Sequence, residues 1–243
     1  MIYVCAGMCR SGSTWLYNAV RLILAHAGIA GCKAGWISER ESLLKNENAV
    51  IKIHAFDAEL ASPANVILTS HRDLRDVAAS LRRKFKTPFS VEDMRGTVET
   101  HERWSALANY ELHYENLLGD KMGELLRLAR SLRLPDENYE RLRFDAILRE
   151  LEGEEFCEAR STPQRYDAVN LLHDGHITDG RHGSWDGVLA RREIAQIERE
   201  FRPWLEARGY LPRVTRKTKW WWRGFSASSA PGTLVTDQSR RVS

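Results

Sequence analysis

Three short apolar runs mark the first seventy residues: IYVCA at 2–6, AVIKIH at 49–54 and NVILTS at 65–70. Each is short, apolar and bounded by Gly, Asn or Pro, a pattern that predicts buried strands. Between the first two, STWLYNAVRLILAHA at 13–27 sets Trp15, Ala19, Leu22 and Ile23 at helical spacing, and Gly28 and Gly31 end the helix. Further helices are predicted over 73–85, over 90–109 (with Val91, Met94, Val98 and Trp104 among its apolar positions), over 120–132 and over 136–151. A last one over 190–208 closes on Gly209, a good residue just past a helix end. Short strands separated by helices predict an α/β fold, a central parallel β-sheet flanked by helices with right-handed crossovers. Residues 153–180 read as irregular. Beyond Pro212 the chain loses periodicity, which predicts one domain over 1–212 and a mobile tail over 213–243.

Charge separates those two parts. From Arg213 onward there are seven Lys or Arg and one acid, a net +6; the other 212 residues carry 29 bases and 32 acids, a net −3. A mildly acidic body argues against a broad nucleic-acid-binding face. No run reaches the roughly 18 apolar residues of a spanning helix. The N-terminus has no basic region ahead of its short apolar run, so no signal peptide is expected and the cytoplasm is the expected location. Cys5, Cys9, Cys32 and Cys157 lack the spacing of a zinc framework.

The candidate chemistry lies at the ends of the three strands. GMCRSGSTW at 7–15 nearly spells the phosphate loop G-x-x-x-x-G-K-[ST], with Gly7, Gly12 and Thr14 in register and Ser13 in place of the lysine. A strand, glycine loop and helix N-terminus together make an anion site, because backbone N–H groups close round a phosphate and the helix dipole adds positive potential. Arg10 supplies a cation from within the loop. Lys52 and His54, two residues apart, are expected to face the same way at the end of the second strand, where open α/β sheets bind ligands. A histidine with a pKa near neutrality can accept a hydroxyl proton, and the lysine can stabilise charge on a departing phosphate. Arg72 directly follows the third strand, placed to grip a phosphate bidentately, and Ser80 lies two turns into the next helix. The competing reading of this segment is a helix capped by Asp73 with Asp76 and Ser80 exposed.

Taken together, GMCRSGSTW, IKIHAF and HRDLRDVAAS resemble the sulfotransferases that use 3′-phosphoadenosine 5′-phosphosulfate (PAPS). That family's signatures are a PKSGTTW-like loop, a K-x-H strand end and an R-N-x-x-D-x-x-x-S segment. The resemblance implies a P-loop-like sulfotransferase architecture across about residues 1–210. It implies that Arg10, Ser11, Gly12, Ser13 and Thr14 bind the 5′-phosphosulfate, that Arg72 and Ser80 bind the 3′-phosphate, and that His54 is the general base. Trp15 and, in HYENLL, Tyr114 match aromatic residues near the adenine. DGRHGSWDGVL at 179–189 is similar to the family's R-K-G-x-x-G-D-W segment, with Thr178 and Asp179 in place of the Arg-Lys pair, so Arg181, His182 and Gly183 become the candidates for the remaining 3′-phosphate contact. Two further departures are Arg10 for the loop lysine and Asp73 for asparagine.

The expected reaction is in-line sulfuryl transfer from PAPS to an acceptor hydroxyl or amine, with His54, Lys52 and Arg10 as catalytic residues, 3′-phosphoadenosine 5′-phosphate (PAP) as product and no metal required. The rival enzyme is an ATP-dependent P-loop kinase, which would want a lysine at position 13 and a strand-end carboxylate for magnesium. A non-catalytic nucleotide-binding protein is the third reading. RKTKWWWRGF at 216–225 suggests peripheral attachment to anionic lipid, against the alternative of packing on the body or on a second subunit. His101, His113, His173 and His176 read as surface or packing histidines. Residues 84–105 and 153–177 are the expected source of the acceptor pocket.

Overall fold

The computed structural model of the chain describes residues 1–153, 166–173 and 179–213. Thr178, His176, Cys157, most of 153–177 and the tail with its 216–225 segment lie outside the described residues. The body is built on a five-stranded sheet of order β2-β3-β1-β4-β5, comprising β1 (Ile2–Cys5), β2 (Lys33–Trp36), β3 (Ala49–Lys52), β4 (Val66–His71) and β5 (Tyr110–His113). Every neighbouring pair is parallel. Register explains why the central runs are apolar throughout rather than alternating. Tyr3 lies opposite Val50 and Val66 and faces one layer of helices, whereas Val4 lies opposite Ile51 and Ile67 and faces the other. Both faces are covered, as parallel sheets require.

On the first face the sheet meets α1 (Ser13–His26), α6 (Lys121–Ser131) and α8 (Phe144–Glu152), with Leu16, Val20, Leu125, Leu128 and Ile147 fully buried. On the second face, α2 (Arg40–Leu43) contributes Leu43 and α4 (Val91–Ser105) contributes Trp104, whose indole donates to the Ala55 carbonyl at 3.1 Å. A third cluster joins α3 (Leu74–Phe85) to α9 (Arg191–Glu200) and α10 (Arg202–Ala207) through Leu74, Val77, Ile197 and Leu205. The short helices α5 (Tyr114–Gly119) and α7 (Asp136–Tyr139) and the antiparallel pair β6 (Tyr166–Asp167) and β7 (Leu172–His173) complete the described elements.

The expected fold class holds, with corrections of detail. Residues 136–151 form two helices, because Leu142 and Ile147 enter the same core cluster and would lie about 140° apart on one continuous helix. Residues 190–208 also divide. Pro203, within the first two positions of α10, has no N–H to continue α9. The helix predicted over 90–109 stops at Ser105, since Tyr110–His113 pairs with β4 as an edge strand. β2 was not expected: KAGW has no alternation, and its pairing with β3 holds it in the sheet.

β1 lies between β3 and β4, so the loop after it opens beside both neighbouring strand ends. The chain moves outward in opposite directions from β1 to β3 and β4, which makes this the topological switch point of the sheet. Gly7 has no room for a side chain there, since a Cβ would stand 2.2 Å from Ser70 Oγ and 2.7 Å from Ser13 Cβ. Gly7→Ala is expected to cost about 1–3 kcal/mol as an overpacked substitution, read as a lower melting temperature.

Candidate functional site

Gly12 caps α1 in the left-handed region (φ 81°), and a Cβ on it would stand 2.9 Å from the Tyr114 ring. No acid occupies the first turn of α1, so its N-terminal positive potential is uncompensated. Arg10 is also left-handed (φ 64°) and directs its Nε to Ser80 Oγ at 2.9 Å. The loop is braced from inside. Ser11 is fully buried and its hydroxyl donates to the Met8 carbonyl at 2.6 Å, beside Ser70 Oγ at 2.7 Å. That hydroxyl is therefore engaged within the loop. Ser13 and Thr14 are buried in the first turn. Trp15 is half-buried, packs against the core and has an indole N–H without a partner.

Lys52 is only 4% exposed and donates to Thr14 Oγ1. Burial, with Arg10 adding to it, pushes its pKa down to about 8. His54 is half-buried, with Nδ1 2.7 Å from the Gly7 carbonyl. That acceptor fixes the proton on Nδ1 and leaves the lone pair on Nε2. The expectation of a near-neutral histidine needs correcting: burial and the Lys52 charge push His54 down to about 4, so it is a neutral base over most of the pH range. Trp36, from the unexpected β2, meets the His54 ring edge-on at 5.2 Å and lies 5.8 Å from the Lys52 ammonium. Nothing local in the chain signals Trp36, since its position depends on strand pairing.

Arg72 is also 4% exposed. Its guanidinium stacks 4.2 Å from the Tyr114 ring centroid, donates to the Arg181 carbonyl at 2.6 Å and keeps a buried Nε without a partner among the described residues. Tyr114 donates to the Gly180 carbonyl at 2.8 Å. Asp73 caps α3 by accepting from the Arg75 N–H, as the competing reading of this segment has it. Asp76 and Ser80 are buried, contrary to the exposed alternative. Asp76 is the residue that sequence reasoning missed. Its carboxylate accepts from Gly183 N at 2.9 Å, Ser184 Oγ at 3.0 Å and Trp185 N at 3.1 Å, and lies 3.7 Å from Arg72. It therefore fastens the 183–185 turn to α3.

Arg10, Ser80, Arg72, Tyr114 and the backbone of 180–183 thus form one continuous arrangement, and Thr14, Lys52 and His54 form its other end. Arg181 and His182 differ from the rest. The Arg181 side chain is 82% exposed and forks onto Asp179 at 2.9 Å, so its carbonyl rather than its guanidinium meets Arg72. His182 is exposed, with Nδ1 3.7 Å from Asp76 and 3.8 Å from Glu115. Burial lowers the Arg10 pKa and the Arg72 charge lowers it further. Three mutually repelling cations converge on a helix N-terminus, an arrangement suited to an anion carrying more than one charge.

Among the described residues no helix is long and apolar enough to cross a membrane. No family model matches the sequence, and no curated protein matches it. Solved structures do. Mouse sulfotransferase SULT7A1 complexed with PAP superposes with a TM-score of 0.60 at 17% identity, covering 84% of each chain. Retinol dehydratase in a complex with retinol and PAP gives 0.57 at 18%, covering 84% of this chain and 81% of that one. The same enzyme with androsterone and inactive cofactor PAP gives 0.57 at 18%, covering 84% and 80%. The parallel sheet, the loop at its switch point and the helices on both faces are therefore those of the α/β sulfotransferase fold.

Proposed function

We propose that the chain transfers a sulfuryl group from PAPS to an acceptor hydroxyl or amine. The observation that carries this reading is the convergence of Arg10, Lys52 and Arg72, each at least partly desolvated, on the N-terminus of α1, with a neutral His54 beside them. A dianionic phosphosulfate relieves the repulsion among these cations, and a 3′-phosphate offers acceptors to Arg72 Nε and Ser80. The fold neighbours crystallised with PAP support the same donor.

In this reading His54 Nε2 accepts the acceptor's proton as its oxygen or nitrogen bonds to sulfur. The bond from sulfur to the bridging oxygen breaks, its electron pair stays on that oxygen, and Lys52 and Arg10 neutralise the charge on the departing PAP. The Gly7 carbonyl holds His54 in the required tautomer. Retinol and androsterone, carried by the retinol dehydratase structures, are both alcohols and support a hydroxyl acceptor. The kinase reading finds less support, since the strands beside the loop end in Lys52 and His71 rather than in a carboxylate.

A thermal-shift comparison tests the proposal. PAP without magnesium, at about 100 times its dissociation constant, is expected to stabilise the chain by about 2.7 kcal/mol, a rise of roughly 5–10 °C for a domain of this size. Stabilisation by ATP only with magnesium, and none by PAP, would replace this reading with the kinase. PAP binding without transfer to any alcohol or amine in a screen with labelled donor would leave only a nucleotide-binding protein.

A further inference from the structure

The paired ends of β4 and β5 hold a second cluster, outside the transfer residues. Register sets His71 opposite His113 and Thr69 opposite Glu111, so all four share one face of the sheet. His71 is completely buried, and its ring lies 3.8 Å from that of His113. Ligand atoms of His71, Glu111 and His113 all lie within 4.8 Å of one another. His101, expected like His113 to be a surface or packing residue, is also buried, 5.4 Å ring to ring from His71.

Counting protons exposes a deficit. The Tyr210 hydroxyl gives its one proton to Glu115 Oε2 at 2.7 Å, so its oxygen accepts from His71 Nδ1 at 3.0 Å. The lone pair of His71 therefore sits on Nε2, which faces Glu111 Oε1 at 3.1 Å without forming a hydrogen bond. His101 Nε2 lies 3.2 Å from the same oxygen and 3.2 Å from Arg208 Nη2. Two imidazole nitrogens thus face one carboxylate oxygen, and the one from His71 brings a lone pair to it. Among the described residues, Thr69 Oγ1, His101 Nδ1, Trp204 Nε1 and Arg208 Nε are likewise buried without partners, and the Trp204 ring lies 5.6 Å from that of His71.

We propose that His71, Glu111 and His113 bind a divalent cation of the zinc class, a structural site separate from the transfer chemistry. Two imidazoles and one carboxylate are a ligand set that zinc accepts with a water in the fourth position, and tetrahedral bonds of about 2.0–2.1 Å separate ligand atoms by about 3.3 Å. The 3.1 Å from His71 Nε2 to Glu111 Oε1 is close to that span. A ligating histidine ordinarily gives its other ring N–H to an oriented acceptor. His71 does this through Tyr210 to Glu115, and Glu115 Oε1 accepts from the Asp73 backbone N–H at 3.1 Å, at the start of the helix that carries Asp76 and Ser80. The ion would tie the ends of β4 and β5 to that helix.

Cobalt titration of the chelator-stripped full chain tests the site, with displacement by zinc. One equivalent of Co²⁺ is expected to bind with the strong visible absorption of tetrahedral coordination and to leave when zinc is added. Tyr210→Phe, which removes only the outer partner, should weaken binding by about 10–100-fold. Glu111→Gln and His113→Gln, at half-buried positions, should each weaken it more than Tyr210→Phe does. Less than a tenth of an equivalent bound, or Co²⁺ bound with only the weak spectrum of octahedral coordination, overturns the proposal and leaves a cluster hydrated by buried water. Undiminished binding in both folded ligand variants overturns it as well, by locating the ion elsewhere. The wild-type titration decides the matter even if a variant fails to fold.

Discussion

Replacing His54 with alanine is expected to lower turnover by about 10²–10⁴-fold while PAP still raises the melting temperature as it does for the unaltered chain. The separation follows from the geometry. Among the described residues His54 hydrogen-bonds only the Gly7 carbonyl, whereas Lys52, Arg10, Arg72 and the α1 N-terminus form the cationic surround. The pH dependence identifies the group. His54 must be neutral to accept a proton, so kcat/KM of the unaltered chain should rise through about pH 4 and reach its plateau above it. Lys52 must be charged to neutralise the leaving group, so kcat/KM should fall as pH rises through about 8. kcat/KM reports groups of the free enzyme, where these two pKa values apply. His54→Ala should erase the acid limb and retain the alkaline one. Near-normal turnover in that variant, or an acid limb that survives it, removes His54 from the mechanism.

Asp76→Ala should be the most damaging structural change at the site. It deletes an acceptor for Gly183, Ser184 and Trp185 and leaves Arg72 buried without its carboxylate neighbour. Breaking a buried charged network in this way costs about 3–5 kcal/mol, and a chain of this size should melt roughly 6–20 °C lower. PAP should also stabilise the variant less, because the 180–183 backbone beside Arg72 loses its attachment. Asp76→Asn, which keeps one acceptor oxygen, should fall between. A melting temperature within about 2 °C of the unaltered chain would show that the turn is held by Arg83 and Tyr114 instead.

Much of the arrangement can be read from the chain because the central strands announce themselves. β1, β3 and β4 are covered on both faces and so open on consecutive apolar residues (IYVC, AVI and VIL), and the residues following them fall at the switch point by topology alone. The edge strands carry no such mark. KAGW and YELH are short, mixed in polarity and stabilised by a neighbour far away in sequence, which is why β2 and with it Trp36 were not anticipated. Asp76 was ambiguous for a related reason. A carboxylate on a helix says nothing of burial until the turn more than a hundred residues later packs against it. His71, His101 and His113 come from three elements and are united by strand register and by Trp204 and Tyr210, none of which a local pattern contains. The lowered pKa of His54 likewise depends on packing, since the residue name specifies only the starting value.

The central place of β1 has a consequence for biosynthesis. β1 leaves the ribosome before either strand that flanks it, and its partners end only at Lys52 on one side and His71 on the other. Until both have emerged, Tyr3, Val4 and Cys5 present an apolar segment with two unpaired edges, open to pairing with other nascent chains. The sheet cannot grow outward from a hairpin, because every pairing in it is long-range and parallel, a topology that folds slowly. Expression at low temperature or with a chaperone that shields the N-terminal segment should therefore raise the soluble yield more than changes at the far edge strand β5.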